Sequence, residues 1–354
     1  MIGLGSGRRW AHRTMQRLRA LSGGGLILSY HRVAELSVDP FELAVTPDRF
    51  DEHLSVLRRL ARPMSLPQLV AALRHRRMPR RAVAITFDDG YADNLYAARP
   101  ILERHDIPAS VYVATGYIGG SHEFWWDELE RILLSTVALP QTLRLEIAGK
   151  GFEWDLGADA TLPETTLRAS HAWQMGQPPR TNRELIFRTL HRLLMEATEE
   201  DRQAALRHLR VWSRLDSLAR PSHRILTAGE LSRLADGRLI EGGAHGVTHS
   251  RLPVLSSGQA QYEIAGSKAT MEEYLGRPVL GFAYPYGAYD SETAVAVRRA
   301  GFTHALEVAR ARIVHGRADL YGLPRVSPGN WDGDRFSRVV ESWLAHGSVA
   351  ESPR

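Results

Sequence analysis

Residues 82–87, AVAITF, form an unbroken apolar run that stops at two carboxylates and a glycine, Asp88-Asp89-Gly90. A run that is apolar at every position, rather than at every second one, suits a strand covered on both faces, as in parallel sheets flanked by helices. Similar runs recur as GGGLILSYH ending at His31, ASVYVA over 109–114, LIEGGA over 239–244, VLGFAY over 279–284, FTHALEV over 302–308 and a last strand near 321–326. Helical segments alternate with them at 47–60, 66–77, 93–105, 227–236, 257–276 and 290–300, the first with Thr46 as N-cap and Pro47 in its first turn. The expected architecture is α/β, a parallel sheet with helices outside, and a barrel is one closed way to arrange it.

Between the halves lie residues 120–225, which differ in character. TNRELIFRTLHRLLMEA (181–197) and much of 201–215 carry apolar residues at helical spacing, with no buried-strand run. The segment reads as a mostly helical insertion in a barrel domain made of 25–119 and 226–347. It holds Trp125, Trp126, Trp154, Trp173 and Trp212, which suit either a small core or stacking on sugars. It follows one strand end and precedes another, so it is expected to border the cleft.

The charge excludes some partners. The chain has 45 Lys+Arg against 40 Asp+Glu, and a pI of about 9.6 points toward a polyanion. Residues 1–34, however, carry six Arg and no acid, which leaves the body at 39 basic against 40 acidic residues. Nucleic acid is therefore not an expected partner. The basic stretch 8–21, with Trp10, Met15, Leu18 and Leu21, reads as an N-terminal helix (domain boundary 1–24) that packs on the body or touches an anionic membrane surface. It lacks the apolar core of a secretory signal, so a cytoplasmic location, at most peripheral to the inner membrane, is expected. With no Cys, thiolate ligands and Cys nucleophiles are excluded.

Two carboxylates at the C-terminal end of a buried parallel strand sit where α/β folds place active sites. Adjacent strand residues point to opposite sides, so Asp88 and Asp89 do not resemble a glycosidase pair and suit divided labour, one on a metal and one as base. His245-Gly246-Val247-Thr248-His249 follows another strand end. With 15 His in the chain the spacing alone is weak, but two imidazoles and a carboxylate are a common set for a catalytic divalent ion. Position 246 is Gly, so the helical metalloprotease motif fails.

TFDDG at 86–90, HGVTH at 245–249 and FAYPYG at 282–287 occur in that order, each at an expected strand end. Together they resemble the polysaccharide deacetylases with the NodB-homology domain, carbohydrate esterase family four, over roughly 25–120 and 226–330. The resemblance implies a distorted (β/α) barrel of about seven strands. It further implies a metal-dependent hydrolase that removes acetyl groups, N- or O-linked, from sugars. It assigns Asp88 as base, Asp89, His245 and His249 as metal ligands, and Pro285 with Tyr286 to substrate and oxyanion binding. The cofactor is then a divalent metal, Zn by its ligands, with Co, Ni, Fe or Mn also compatible.

Three positions depart from that pattern. Gly246 stands where the family has Ser or Thr. Ala283 stands where it has the Arg that pairs with the catalytic Asp, and Arg325, in LPRV, could supply that charge from a neighbouring strand. No late Leu-x-His is convincing, since His346 ends a helical segment. His31 in YHRV resembles the early Tyr-His of exopolysaccharide deacetylases with permuted motifs and is the candidate acid, or else a buried structural His. The expected substrate is an acetylated glycan, polymer, oligomer or lipid-linked precursor, with N-acetylhexosamine first. The alternative is a catalytically weak carbohydrate-binding relative that keeps the metal site. Which glycan is used, and the oligomeric state, stay open.

Overall fold

A computed structural model describes residues 24–346, apart from 217, 238, 309–313 and 316–317. The expected basic helix over 8–21, and with it the membrane contact, lies outside the described residues. The longer strands, in chain order, are β1 (Gly24–Tyr30), β2 (Ala82–Phe87), β3 (Ala109–Val113), β4 (Thr142–Ile147), β5 (Lys150–Asp155), β6 (Ile240–Ala244), β7 (Gly281–Ala283), β8 (His304–Val308) and β9 (Leu323–Arg325). Seven of them pair in parallel in the order β1-β2-β3-β6-β7-β8-β9. Registers such as Leu26 opposite Val83 and Val113 opposite Ala244 align their C-terminal ends. The Ser29 N–H donates to the Val326 carbonyl (2.9 Å) and the Val326 N–H to that of Ile27 (3.0 Å), which nearly closes the sheet into a barrel. β2 is buried at all six positions, as its unbroken apolar run requires.

The helices between strands cover the barrel, with Phe50, Leu54 and Leu57 of Pro47–Leu60 facing inward. Three differ from expectation. The helix from 66 ends at Arg74, where His75 leaves helical geometry before the Arg run. The helices expected at 93–105 and 257–276 each contain a π turn, at Asn94–Ala98 and Tyr262–Gly266.

The 120–225 segment has four helices, Trp125–Leu133, Glu164–His171, Asn182–Glu196 and Glu199–Ser213, and an antiparallel hairpin β4–β5 that was not expected. In β4 only Leu143, Leu145 and Ile147 are buried, alternating with exposed Thr142, Arg144 and Glu146, so the strand is half-solvated and has no apolar run. Trp125, Trp126 and Trp173 are buried in the segment's own core, which also takes in Val38, Tyr91 and Ala114 from the barrel side. No helix among the described residues is long and apolar enough to cross a membrane.

Candidate metal and catalytic centre

The site begins with the end of β2. Thr86 and Asp88 share the inward face, two residues apart. Arg325 of β9 reaches both from across the barrel interior. Its Nη1 and Nη2 donate to the two Asp88 carboxylate oxygens (2.7 and 2.6 Å), and Nη1 also to Thr86 Oγ1 (3.1 Å). Its Nε donates to the Glu307 carbonyl (3.2 Å). Arg325 is fully buried, and such a cation is tolerated only when so bonded. Burial opposes ionisation of Asp88, but the Arg325 guanidinium, with His245, outweighs it and holds the carboxyl below the usual range. Ala283, at the position where the resemblance places an arginine, packs in the apolar interior beside Leu306.

Adjacent strand residues should face opposite ways, yet Asp88 and Asp89 line one cavity. The reason is that Asp89 has left the strand: its φ of 72° is left-handed and swings its side chain to the same side. A non-glycine residue in that region costs about 1–2 kcal/mol and is tolerated best by Asp and Asn. Gly90 continues the turn at φ +85°, and a Cβ there would lie 2.6 Å from Val113 Cγ1, so no other residue fits.

His245 and His249 come from the loop after β6. The His245 Nδ1–H donates to the Ala283 carbonyl on β7 (2.8 Å), which fixes the tautomer and turns the Nε2 lone pair toward Asp89. Asp89 Oδ1 lies 3.6 Å from His245 Nε2 and 3.3 Å from His249 Nε2, and the two Nε2 atoms are 3.2 Å apart. All three side chains are buried. Burial pushes His245 down to about 4, so its imidazole is neutral at pH 7. For Asp89, burial is outweighed by the hydrogen bond and charge of His249, which lower its pKa. Lone pairs converging this closely repel unless a proton or cation sits among them, and this donor set fits a divalent ion.

Around these groups is a cavity of about 180 Å³. Its barrel wall is Asp88, Asp89, His245, His249, His31, Tyr286, Gly287 and Val308; Phe41, Leu43, Trp126 and His191 face them. His31 lies just past β1, its carbonyl accepting from Asn94 Nδ2 (2.9 Å). The Tyr286 ring stands edge-on to His249 (4.6 Å between centroids), and its hydroxyl accepts from Trp125 Nε1 (3.3 Å). Pro285 is buried and lies outside the cavity lining.

Sequence reasoning named Trp126 only among five tryptophans and missed Phe41, Leu43 and His191 on the facing wall. Trp126 packs against His249 at 4.8 Å and donates its Nε1–H to the Tyr91 hydroxyl (3.1 Å). His191 packs, tilted, between Phe41 (4.7 Å) and Trp125 (5.0 Å), and burial lowers it to about 4. Its signal was faint: it stands one helical step after Phe187, on the apolar stripe of 182–196.

The fold and site define a class, a (β/α) barrel with a buried Asp-His-His triad and a guanidinium-bound carboxylate at its C-terminal rim. Residues 75–139 and 221–305 match the family model described as polysaccharide deacetylase, two blocks separated by residues 140–220. The structure resembles the Streptococcus pyogenes deacetylase PplD, solved in complex with acetate (TM-score 0.55, 17% identity, covering 90% of this chain and 98% of that one). It resembles IcaB from Ammonifex degensii equally well (TM-score 0.55, 17% identity, 91% and 97% covered). YxkH of Bacillus subtilis, which carries a polysaccharide deacetylase name, is 25% identical over 108 residues, 30% of this chain and 37% of that relative. That match thus spans little more than a third of YxkH. The chain is similar to the polysaccharide deacetylase family over those two blocks, and to solved deacetylases in fold.

Proposed function

We propose that this protein is a metal-dependent hydrolase that removes acetyl groups, N-acetyl of an N-acetylhexosamine first, from a polysaccharide, oligosaccharide or glycolipid precursor. The observation that carries the reading is the pairing of Asp88 with Arg325 beside the Asp89–His245–His249 triad in one cavity. The match of residues 75–139 and 221–305 to the polysaccharide deacetylase model supports deacetylation of a glycan.

Asp89, His245 and His249 would hold the ion. When bound, it supplies Lewis acidity, making water a nucleophile near neutral pH and polarising the acetyl carbonyl. Asp88 accepts the proton that the attacking water gives up. Arg325 keeps that carboxylate ionised throughout the working range, so it is never lost to protonation. The backbone N–H of Tyr286 donates to the carbonyl oxygen as charge develops there. His31 gives a proton to the departing sugar nitrogen. Phe41, Leu43 and Trp126 exclude water around the acetyl methyl, which strengthens every charge interaction inside. The insertion, through Trp126 and His191, helps select the glycan.

The test is acetate release from N-acetylglucosamine oligomers by protein loaded in turn with Zn, Co, Ni, Fe and Mn. Asp89→Ala and His245→Ala should each lose both bound metal and acetate release. Full activity in metal-stripped Asp89→Ala protein would overturn the proposal. Sugar binding without turnover under every metal would make the protein a binding relative instead.

A further inference from the structure

We propose that Glu263 is a positioning residue for the metal centre: its carboxylate clamps the turn that joins His245 to His249, and Gly246 is glycine because that carboxylate fills its side-chain space. The inference rests on reading Asp89, His245 and His249 as metal ligands.

The two histidines are four residues apart but not helical, so something other than a helix must fix their relative position. The backbone groups of the turn account for themselves on two sides. Its carbonyls face outward, that of Gly246 accepting from the Thr115 N–H (3.0 Å) and that of Val247 from the Gly116 N–H (2.8 Å). Its N–H groups face Glu263, whose Oε2 accepts from Val247 (2.7 Å) and Thr248 (2.9 Å). The Thr248 hydroxyl donates to Glu263 Oε1 (2.7 Å) and lies 2.8 Å from Ser250 Oγ. Glu263 is buried, and among the described residues no Lys or Arg forms a salt bridge with it. An acid buried without a cation is costly unless its oxygens are bonded, and here the turn supplies all the donors.

Gly246 fits the same logic. It stands at φ +77°, and a Cβ there would lie 2.9 Å from Glu263 Oε2. Glycine thus meets two demands, a left-handed backbone and the close approach of a carboxylate. Glu263 itself comes from the π turn at Tyr262–Gly266, inside the helical stretch of Ser257–Gln261 and Ser267–Leu275. π turns inside helices concentrate at functional sites. The other one, Asn94–Ala98, supplies the Asn94 amide that bonds the carbonyl of His31. Each loop carrying a cavity histidine from the barrel is therefore held by a side chain from a π turn.

Hydrogen bonding, rather than charge alone, is the device, which makes the substitutions discriminating. Gln has the same shape: its amide oxygen can keep both N–H bonds, while its NH2 faces a Thr248 hydroxyl free to turn toward Ser250. Ala leaves the Val247 and Thr248 N–H groups without an acceptor. Partners of this kind change metal affinity about 10–100-fold when removed.

The experiment measures Zn affinity of the full-length protein by chelator competition and records the visible spectrum of its Co(II) form. Glu263→Gln should bind Zn within about fivefold of wild type, with the wild-type Co(II) spectrum. Glu263→Ala should bind about 10–100-fold more weakly, with an altered spectrum. If Glu263→Ala does not fold, Glu263→Asp, which withdraws the carboxylate by one methylene, carries the same expectation. Gly246→Ala should weaken binding too, and its effect should shrink in a Glu263→Ala background because the crowding is gone. Wild-type affinity and spectrum in Glu263→Ala or Glu263→Asp would overturn the proposal, as would full additivity of the Gly246 and Glu263 losses for its glycine half. A wild-type protein that binds neither Zn nor Co would instead sink the reading of the triad.

Discussion

The two walls of the cavity differ in kind. The barrel wall is charged and tightly bonded: Asp88 sits in the fork of Arg325, Asp89 between two imidazoles, and His245 against the Ala283 carbonyl. The facing wall is aromatic and neutral, with Phe41 and Trp126 and a histidine whose pKa burial lowers to about 4. Groups that handle charge are thus on strand ends, where backbone geometry is stiffest. Groups that set shape and exclude water are on a separate layer that can vary without disturbing the chemistry. If that division is right, damage to the barrel wall should destroy the rate, and damage to the other should change which substrate is taken.

The largest expected effect is at Arg325. Arg325→Met leaves a buried carboxylate without its cation, so stability in urea unfolding should fall by about 3–5 kcal/mol. Acetate release should fall at least about 100-fold. Arg325→Lys should not restore it, because an ammonium cannot make the two-pronged contact while also reaching Thr86 and the Glu307 carbonyl. Asp88→Asn added to Arg325→Met should regain most of the stability and none of the activity. A single Arg325→Met protein within twofold of wild type would break the comparison.

The seam between the walls comes next. Asp127, on the helix Trp125–Leu133, accepts from the Tyr91 hydroxyl (2.6 Å), and Tyr91 follows the Asp88-Asp89-Gly90 turn. Burial pushes the Asp127 carboxyl up to about 8; Arg32 opposes this, and Glu123 and Glu130 add to it. The folded pKa is thus raised above the unfolded value. The contribution to stability is fully present below about 4 and is lost as pH rises through about 8. Asp127→Asn keeps an oxygen for Tyr91 and removes the titration. Compared with wild type it should gain roughly 2 kcal/mol between pH 6 and pH 7.5, read from denaturant midpoints. Parallel curves for the two proteins would show that Asp127 ionises normally.

The same division explains what was legible in the sequence. The barrel wall announces itself because its strands are apolar at every position and end abruptly in acids and histidines; Asp88, Asp89, His245 and His249 are all placed by such ends. Arg325 carries no local mark. Its role depends on barrel closure, which brings β9 beside β1 and within reach of β2, and only the resemblance, through the missing arginine at Ala283, directs attention to it. The left-handed turn at Asp89 was invisible, since period-two reasoning holds only while the strand continues. So were the two π turns, whose extra residue leaves no compositional trace. In residues 120–225, strand β4 does alternate polar with apolar residues, the period-two mark of a half-buried strand, which a search for unbroken apolar runs passes over; and a tryptophan that lines a cavity reads the same as one that fills a core.

The smallest effect separates the walls most sharply. His191→Phe preserves ring area against Phe41 and Trp125 but removes the nitrogens that face the cavity. A neutral imidazole there can hydrogen-bond a sugar hydroxyl or the acetamide, a contact worth about 1 kcal/mol. KM for N-acetylglucosamine oligomers should therefore rise about fivefold, with kcat within about twofold and metal content unchanged. The substitution should also flatten the loss of stability below neutral pH. A histidine with a lowered folded pKa contributes stability above about 6.5 that is lost as pH falls through about 4. If kcat instead collapsed and the acid side of the pH–rate profile moved with it, His191 would be delivering a proton to the leaving group. The catalytic machinery would then extend across both walls, and His31 would lose its assignment as the acid.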